Sequence, residues 1–401
     1  GHRFGFFPSA SVGWRISEEP FFGNLKKNID NVKLRLSYGS LGNQQVGYYD
    51  YIQTINTNGT MNYIFGDQKK GSYASVSDPN SADLTWETVS TWNVGLDLGF
   101  LNNRLNLTAD AYVRDTKGMQ TSGKKLPGAY GANEPKQNAA NLRTKGWELM
   151  LTWNDAFKLA NKPFRYNLSV GLADNTSEIT KFDNPSKILS DYYVGQKLGD
   201  IWGYVVDGLF RTDEEAANYN VDQTAVNFVI NTAQVNPGLH AGDMKFVDLD
   251  GDHTISSGSN TADDPGDRKI IGNEEPRYIY SFTLSADWNN IWVSAFFQGV
   301  GKQDWYPSNE ASTFWGQYNR PYNQMPSWHV GNYWTPANPD AFLPRFAGYY
   351  APFYGGHKNA NTRYLMNAAY LRLKNIQVGY NLPSEWIKKL HLTNVGIYLS
   401  G

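Results

Sequence analysis

Apolar and polar residues alternate one for one along much of this chain, the period of an extended strand with two unlike faces. Ala10, Val12, Trp14 and Ile16 interleave with Ser9, Ser11, Gly13 and Arg15. Val32, Leu34, Leu36 and Tyr38 run against Lys33, Arg35, Ser37 and Gly39. A hairpin follows: Trp92, Val94, Leu96 and Leu98 lead to the turn Leu101-Asn102-Asn103-Arg104. The return strand is Leu105, Leu107, Ala109, Ala111 and Val113. The same alternation predicts strands through Trp147–Trp153, Tyr166–Leu172, Tyr280–Trp288 and Val293–Phe297. Between Tyr370 and Tyr380 the phase slips: Leu371 and Leu373 are odd-numbered, Ile376, Val378 and Tyr380 even. One extra residue near Asn375, a β-bulge, accounts for the slip. A tenth strand begins at Val395. Helix is minor, confined to a short turn at Pro383–Lys389 with Ser384 as N-cap and a second at Thr212–Tyr219.

The connections alternate short and long. Short ones follow Ile16, Leu98, Trp153, Trp288 and Tyr380; long ones cover roughly 41–85, 115–141, 174–277 and 300–369. A membrane barrel has this asymmetry, with tight turns at one rim and long loops at the other, and structureless loops of such length are uncommon in compact domains. Trp14, Phe100, Trp153, Trp288 and Tyr380 lie close to the short turns, with Tyr166 and Trp292 just beyond two of them. That is where amphipathic rings settle at headgroup depth. Bulky aromatics also favour strands of any kind, so a soluble β-sandwich is the alternative. The fold expected is all-β, an antiparallel transmembrane β-barrel with 174–277 and 300–369 as its long extracellular loops.

Composition changes the picture in a few places. Mean hydropathy is −0.54, formal net charge is −2, and 15% of residues are aromatic. No apolar run reaches the eighteen or so residues of a spanning helix, which excludes a helical membrane protein but not a barrel. The near-neutral charge argues against a nucleic-acid partner. With no cysteine, thiol catalysis, disulfides and zinc-thiolate sites are excluded. No leader precedes Gly1 and the chain stops inside a strand, so it reads as an internal piece of something larger.

Three clusters carry candidate chemistry. In Asp248-Leu249-Asp250-Gly251-Asp252-His253-Thr254-Ile255, carboxylates at the first, third and fifth positions and a carbonyl at the seventh can converge on one hard cation, as in an EF-hand-type calcium loop. His253 stands at the usual glycine position and Ser259 at the usual twelfth-position acid. The stretch from Ser256 to Gly266 reads as an insertion, and Asp263, Asp264 or Asp267 could close the shell beyond it. The expected calcium ligands are Asp248, Asp250, Asp252, Thr254 and Asp267; a solvated, turn-rich acidic loop is the alternative. The segment Trp305–Tyr354 holds fifteen aromatics in fifty positions, which suits ligand or partner contact at Trp315, Tyr318 or Trp328, or mutual packing. Lys33, Arg35, Asp97, Asp110, Arg114 and Glu148 would line a lumen. No nucleophile–base–acid set and no phosphate loop is present, so no catalytic residue is assigned.

Several segments resemble SusC/RagA outer-membrane proteins of Bacteroidetes, in that family's order. They are Phe7-Pro8-Ser9 through Gly13-Trp14-Arg15-Ile16-Ser17-Glu18-Glu19, Leu34-Arg35-Leu36-Ser37-Tyr38-Gly39 with Gly42-Asn43-Gln44, and Trp92-Asn93-Val94-Gly95-Leu96-Asp97 through Arg104-Leu105. Gly203-Tyr204-Val205-Val206-Asp207-Gly208, Gly242-Asp243-Met244-Lys245-Phe246, Tyr333-Trp334-Thr335-Pro336 and Tyr370-Leu371-Arg372-Leu373-Lys374-Asn375 complete the set. The resemblance implies a plugged barrel of about 22 strands. It also implies import of an oligosaccharide or peptide energised through TonB, and a SusD-like surface lipoprotein acting as lid. Asp-rich stretches also occur in the corresponding loop of that family. The rival readings are a soluble or surface-attached β-rich glycan-binding protein and a glycan-cleaving enzyme.

Overall fold

The computed structural model describes residues 4–43, 52–64, 66, 70–81, 84–122, 127–226, 238–351, 358–388, 391–393 and 395–401. Ten strands make one antiparallel sheet: β1 (Ser9–Arg15), β2 (Ile29–Asn43), β5 (Glu87–Phe100), β6 (Leu105–Ser122), β7 (Lys136–Leu159), β8 (Lys162–Lys181), β13 (Arg277–Trp288), β14 (Ile291–Lys302), β17 (Tyr370–Asn381) and β18 (Gly396–Ser400). They pair in chain order with no crossover, β1 and β18 at the two edges. Four smaller strand pairs sit in the long connections: β3 (Ile55–Ile64) with β4 (Lys70–Val76), β9 (Asp200–Tyr204) with β12 (Arg268–Asn273), β10 (Val206–Leu209) with β11 (Met244–Phe246), and β15 (Asp304–Trp305) with β16 (Met366–Asn367).

Register puts the apolar positions of all ten strands on one face. Leu34 lies opposite Leu96, Leu96 opposite Ala109, Ala109 opposite Leu149, and Leu149 opposite Leu172. The row continues through Tyr280, Gly299 and Leu371. On β6 the apolar band runs from Leu105 to Val113, nine residues and about 27 Å of strand, which matches a spanning β-strand. This face is not covered by another layer: Trp92 is 64% exposed and Leu399 80%. In water each such Leu or Val would forgo roughly 1.5–3 kcal/mol of burial, a deficit that hydrocarbon removes. The buried core lies elsewhere, in the long connections, where Tyr204, Phe246, Ile255, Trp315, Leu343 and Tyr364 pack together.

Strand ends differ from the sequence expectation in an informative way. β6 reaches Ser122 and β7 starts at Lys136, so most of the segment 115–141 is strand where a loop was expected. Past Val113 the same face carries Asp115 and Lys117, and β7 carries Lys145 opposite Val113 and Arg143 opposite Asp115. Beyond the hydrocarbon both faces meet water, alternation stops, and periodicity no longer marks the strand. The expected bulge is present: Phe296 pairs with Asn375 and Phe297 with Leu373, which leaves Lys374 as the extra residue. The tight turns have left-handed residues at both central positions, Ala160-Asn161 and Asn289-Asn290, the geometry that matches strand twist. The helix α1 (Asp213–Ala217) is capped by Thr212, whose Oγ1 accepts from Glu215 N–H. The four-residue α2 (Ser312–Trp315) lies in the aromatic segment, and α3 (Ser384–Lys388) has Ser384 as its first residue rather than its cap.

Candidate binding and metal sites on the long connections

The opposite face of the sheet is polar and pre-paired. The Arg35 guanidinium binds Asp97 (2.9 and 3.1 Å) and Asp110 (3.0 and 2.9 Å) through four hydrogen bonds. It lies flat over Gly95, where a Cβ would meet its Cζ at 2.5 Å. Glu148 stands opposite Asp110, and Lys33 opposite Asp97. Arg114 lies over the Tyr112 ring at 5.4 Å. All six expected lumen residues share this face, and three of them, Arg35, Asp97 and Asp110, form an ion-pair cluster that ties three strands together.

The two longest connections fold onto each other. The Asp243 carboxylate is fully buried and takes Arg345 Nε at 2.7 Å, Arg345 Nη2 at 3.2 Å, the Tyr350 hydroxyl at 2.5 Å and His240 N–H at 2.9 Å. Gly242 beside it has φ +86°, and a Cβ there would strike the Trp334 ring at 2.6 Å. A Cβ on Gly203 would meet the Ala360 carbonyl oxygen at 2.6 Å. The Gly-Asp and Gly-Tyr pairs are thus explained by close backbone approach and a buried ion pair. Nothing local to either pair marks its role, because Arg345 lies 102 residues from Asp243 and Ala360 lies farther still from Gly203.

In the aromatic segment the structure separates the expected contact residues. Trp315 is fully buried, its Nε1 donating to Ser308 carbonyl at 2.8 Å, and Tyr318 is buried with its hydroxyl donating to Pro344 carbonyl at 2.8 Å. Both are core side chains, which corrects the expectation that they face a ligand. Trp328 stays at the surface, packed edge-on against His329. Tyr322, Trp305 and Phe346 are exposed as well; nothing in their spacing marked them apart from the buried rings.

At the Asp-rich loop, carboxylate oxygens of Asp248, Asp250 and Asp267 all lie within 4.8 Å of one another. Asp267 is buried, its oxygens taking the N–H groups of Leu249 (2.7 Å) and Ser256 (2.8 Å), and this aims it across the insertion at the motif. Asp263 instead pairs with Lys187 Nζ at 2.8 Å, and Asp264 accepts from Ser259. Asp252 stands outside the triple and accepts Thr254 N–H at 2.7 Å. Thr254 forms a bridge with Asp222 that uses the His253 carbonyl and Ile255 N–H. His253 adopts φ +63° where such loops usually place glycine. Desolvation works the other way, but the N–H groups of Gly251 and His253 hold Asp248 below the ordinary carboxylate range. Asp250 is pushed above it: Asp252 N–H opposes the shift, while desolvation and the charges of Asp267, Asp252 and Asp248 drive it. Three clustered oxygen donors with mutual repulsion fit a hard cation.

A one-faced apolar sheet over a self-paired polar wall, with its packed core in long connections at one end, defines a transmembrane β-barrel wall. Its known relatives narrow this. No family model matches the chain. It is 26% identical over 415 residues to TonB-dependent receptor P3 of Formosa agariphila, covering 100% of this chain and 37% of that protein. It is 29% identical over 404 residues to TonB-dependent receptor SusC of Bacteroides thetaiotaomicron, covering 96% and 35%. The RagAB peptide importer in its open-open state superposes with a TM-score of 0.71 at 21% identity, over 100% of this chain and 39% of that one. The chain thus spans little more than a third of the proteins it matches. Over its whole length the chain is similar to the corresponding part of SusC-type TonB-dependent receptors, and its fold matches the wall of the RagAB barrel.

Proposed function

We propose that the protein imports an oligosaccharide across the outer membrane as the barrel of a two-part complex with a SusD-like lipoprotein lid, energised through TonB. The observation that carries this reading is an exposed apolar band in a chain similar to TonB-dependent receptors over its whole length. On this reading the long connections face outward, and Trp305, Tyr322 and Trp328 offer rings to sugar or lid. A peptide substrate is the second reading, supported by the fold likeness to a peptide importer. Labelled oligosaccharide and peptide pools should be taken up by cells that carry the protein and lost together with the lid lipoprotein. Undiminished uptake without the lid removes the two-part mechanism. Extraction separates the rival classes, since a barrel needs detergent whereas a surface-attached binder or glycan-cleaving enzyme leaves in salt.

We also propose a structural calcium ion at Asp248, Asp250 and Asp267, with Asp252 and Thr254 drawn in on binding. Titration calorimetry should show calcium binding that disappears when Asp248 and Asp250 become Ala. Binding should also weaken as pH falls, because the metal needs carboxylates deprotonated and Asp250 gains its proton earlier than an ordinary aspartate. Unchanged heats in the double variant reject the site.

A further inference from the structure

Just beyond the apolar band, on the same outward face, the strands carry a set of cations. Trp92 and Trp147 close the band toward the long connections, and Lys145 follows Trp147 at the next outward position, opposite Val113. Arg143 comes next, opposite Asp115, and Lys117 lies two residues past Asp115. Lys197 joins them as the backbone β-bridge partner of Glu178, the β8 residue in register with Arg143 of β7. Only Arg143 is committed, with Nε 2.7 Å and Nη2 3.1 Å from the Asp115 carboxylate. Among the described residues Lys117, Lys145 and Lys197 make no ion pair. Four cations against Asp115 and Glu178 leave this rim at +2, while the whole chain carries −2. Successive outward positions on a strand are about 7 Å apart, so one phosphate can reach two of these cations.

We infer that this rim binds the phosphorylated headgroup of an outer-leaflet lipid. Lysines stranded between a tryptophan girdle and water sit at headgroup depth, where the apolar band fixes the lipid's tails and the charges select its anionic head. The Asp115–Arg143 pair braces the centre of the rim and keeps the flanking lysines apart. The inference rests on the long connections facing outward.

The full-length protein is placed in nanodiscs with phosphorylated lipid A, with the same lipid after phosphatase treatment, or with phosphatidylglycerol, and bound lipid is counted by native mass spectrometry. Each lysine replaced by Gln should weaken retention of phosphorylated lipid A about fivefold, and Lys117→Gln with Lys145→Gln about thirtyfold. Glu178→Gln should strengthen it, a gain that misfolding cannot mimic. Lys33→Gln on the lumen face should leave it unchanged. Equal retention by the double variant, or equal binding of the dephosphorylated lipid, overturns the inference. So does charge-dependent binding of phosphatidylglycerol alone, which would put the rim at the inner leaflet; uptake of nutrient would be untouched by either outcome.

Discussion

Asp243 shows how much one residue can hold. It is fully buried, and Arg345, Tyr350 and His240 all donate to it. Asp243→Asn keeps the shape but leaves the Arg345 charge without its counterion, at a cost of about 2–4 kcal/mol. Hydrogen exchange should then quicken in both long connections at once. Gly242→Ala meets the Trp334 ring and an unfavourable φ together, and should cost a similar roughly 2–3 kcal/mol. His329 adds a pH dependence. It is fully buried, its Nε2 bonds to Phe314 carbonyl at 2.8 Å, and its Nδ1 has no partner among the described residues. Burial lowers its pKa below the ordinary 6.5, although the Phe314 carbonyl pulls the other way. A depressed imidazole pKa means that protons favour the unfolded segment. Stability is therefore full above the unfolded value and falls as pH drops below it, levelling only beneath the folded value. Protection of amides in 312–333 should decline between pH 7.5 and 5.5, and His329→Gln should flatten the change.

At the scale of elements, two-residue turns and bulges set which way every side chain points. Ala160 holds φ +50° in the β7–β8 turn, so Ala160→Gly should stabilise that hairpin by about 0.5–1 kcal/mol, read as a higher unfolding midpoint in detergent. The extra residue Lys374 re-aims Leu371 and Leu373 onto the apolar face. The strands and this bulge were legible because hydrocarbon on one side and water on the other impose period two. The connections were less legible. Fifteen aromatics announced a packed or binding segment, yet spacing could not separate buried Trp315 and Tyr318 from exposed Tyr322, since an irregular chain has no period to project onto a face. Asp267 was one of three acids that could close the Asp-rich loop, and only the fold of the insertion brings it to Asp248 and Asp250.

For the molecule as a whole, the two faces of the sheet answer to different solvents. Leu149→Arg near the middle of the band should cost about 2–4 kcal/mol and abolish the heat-modifiable folded form on gels. Thr108→Arg, on the polar face of the neighbouring strand, should leave that form in place. The reverse result would return the apolar face to the interior of a soluble particle.

Because the packed core belongs to the connections and not to the sheet, this protein contains two cohesive bodies that share a chain but not a reason to hold together. Urea, which weakens burial in water, should dismantle the aromatic cap while the wall persists in its detergent collar. A harsher detergent should do the opposite. A single melting temperature would then describe neither body, and mutations that damage one need leave no trace in the other.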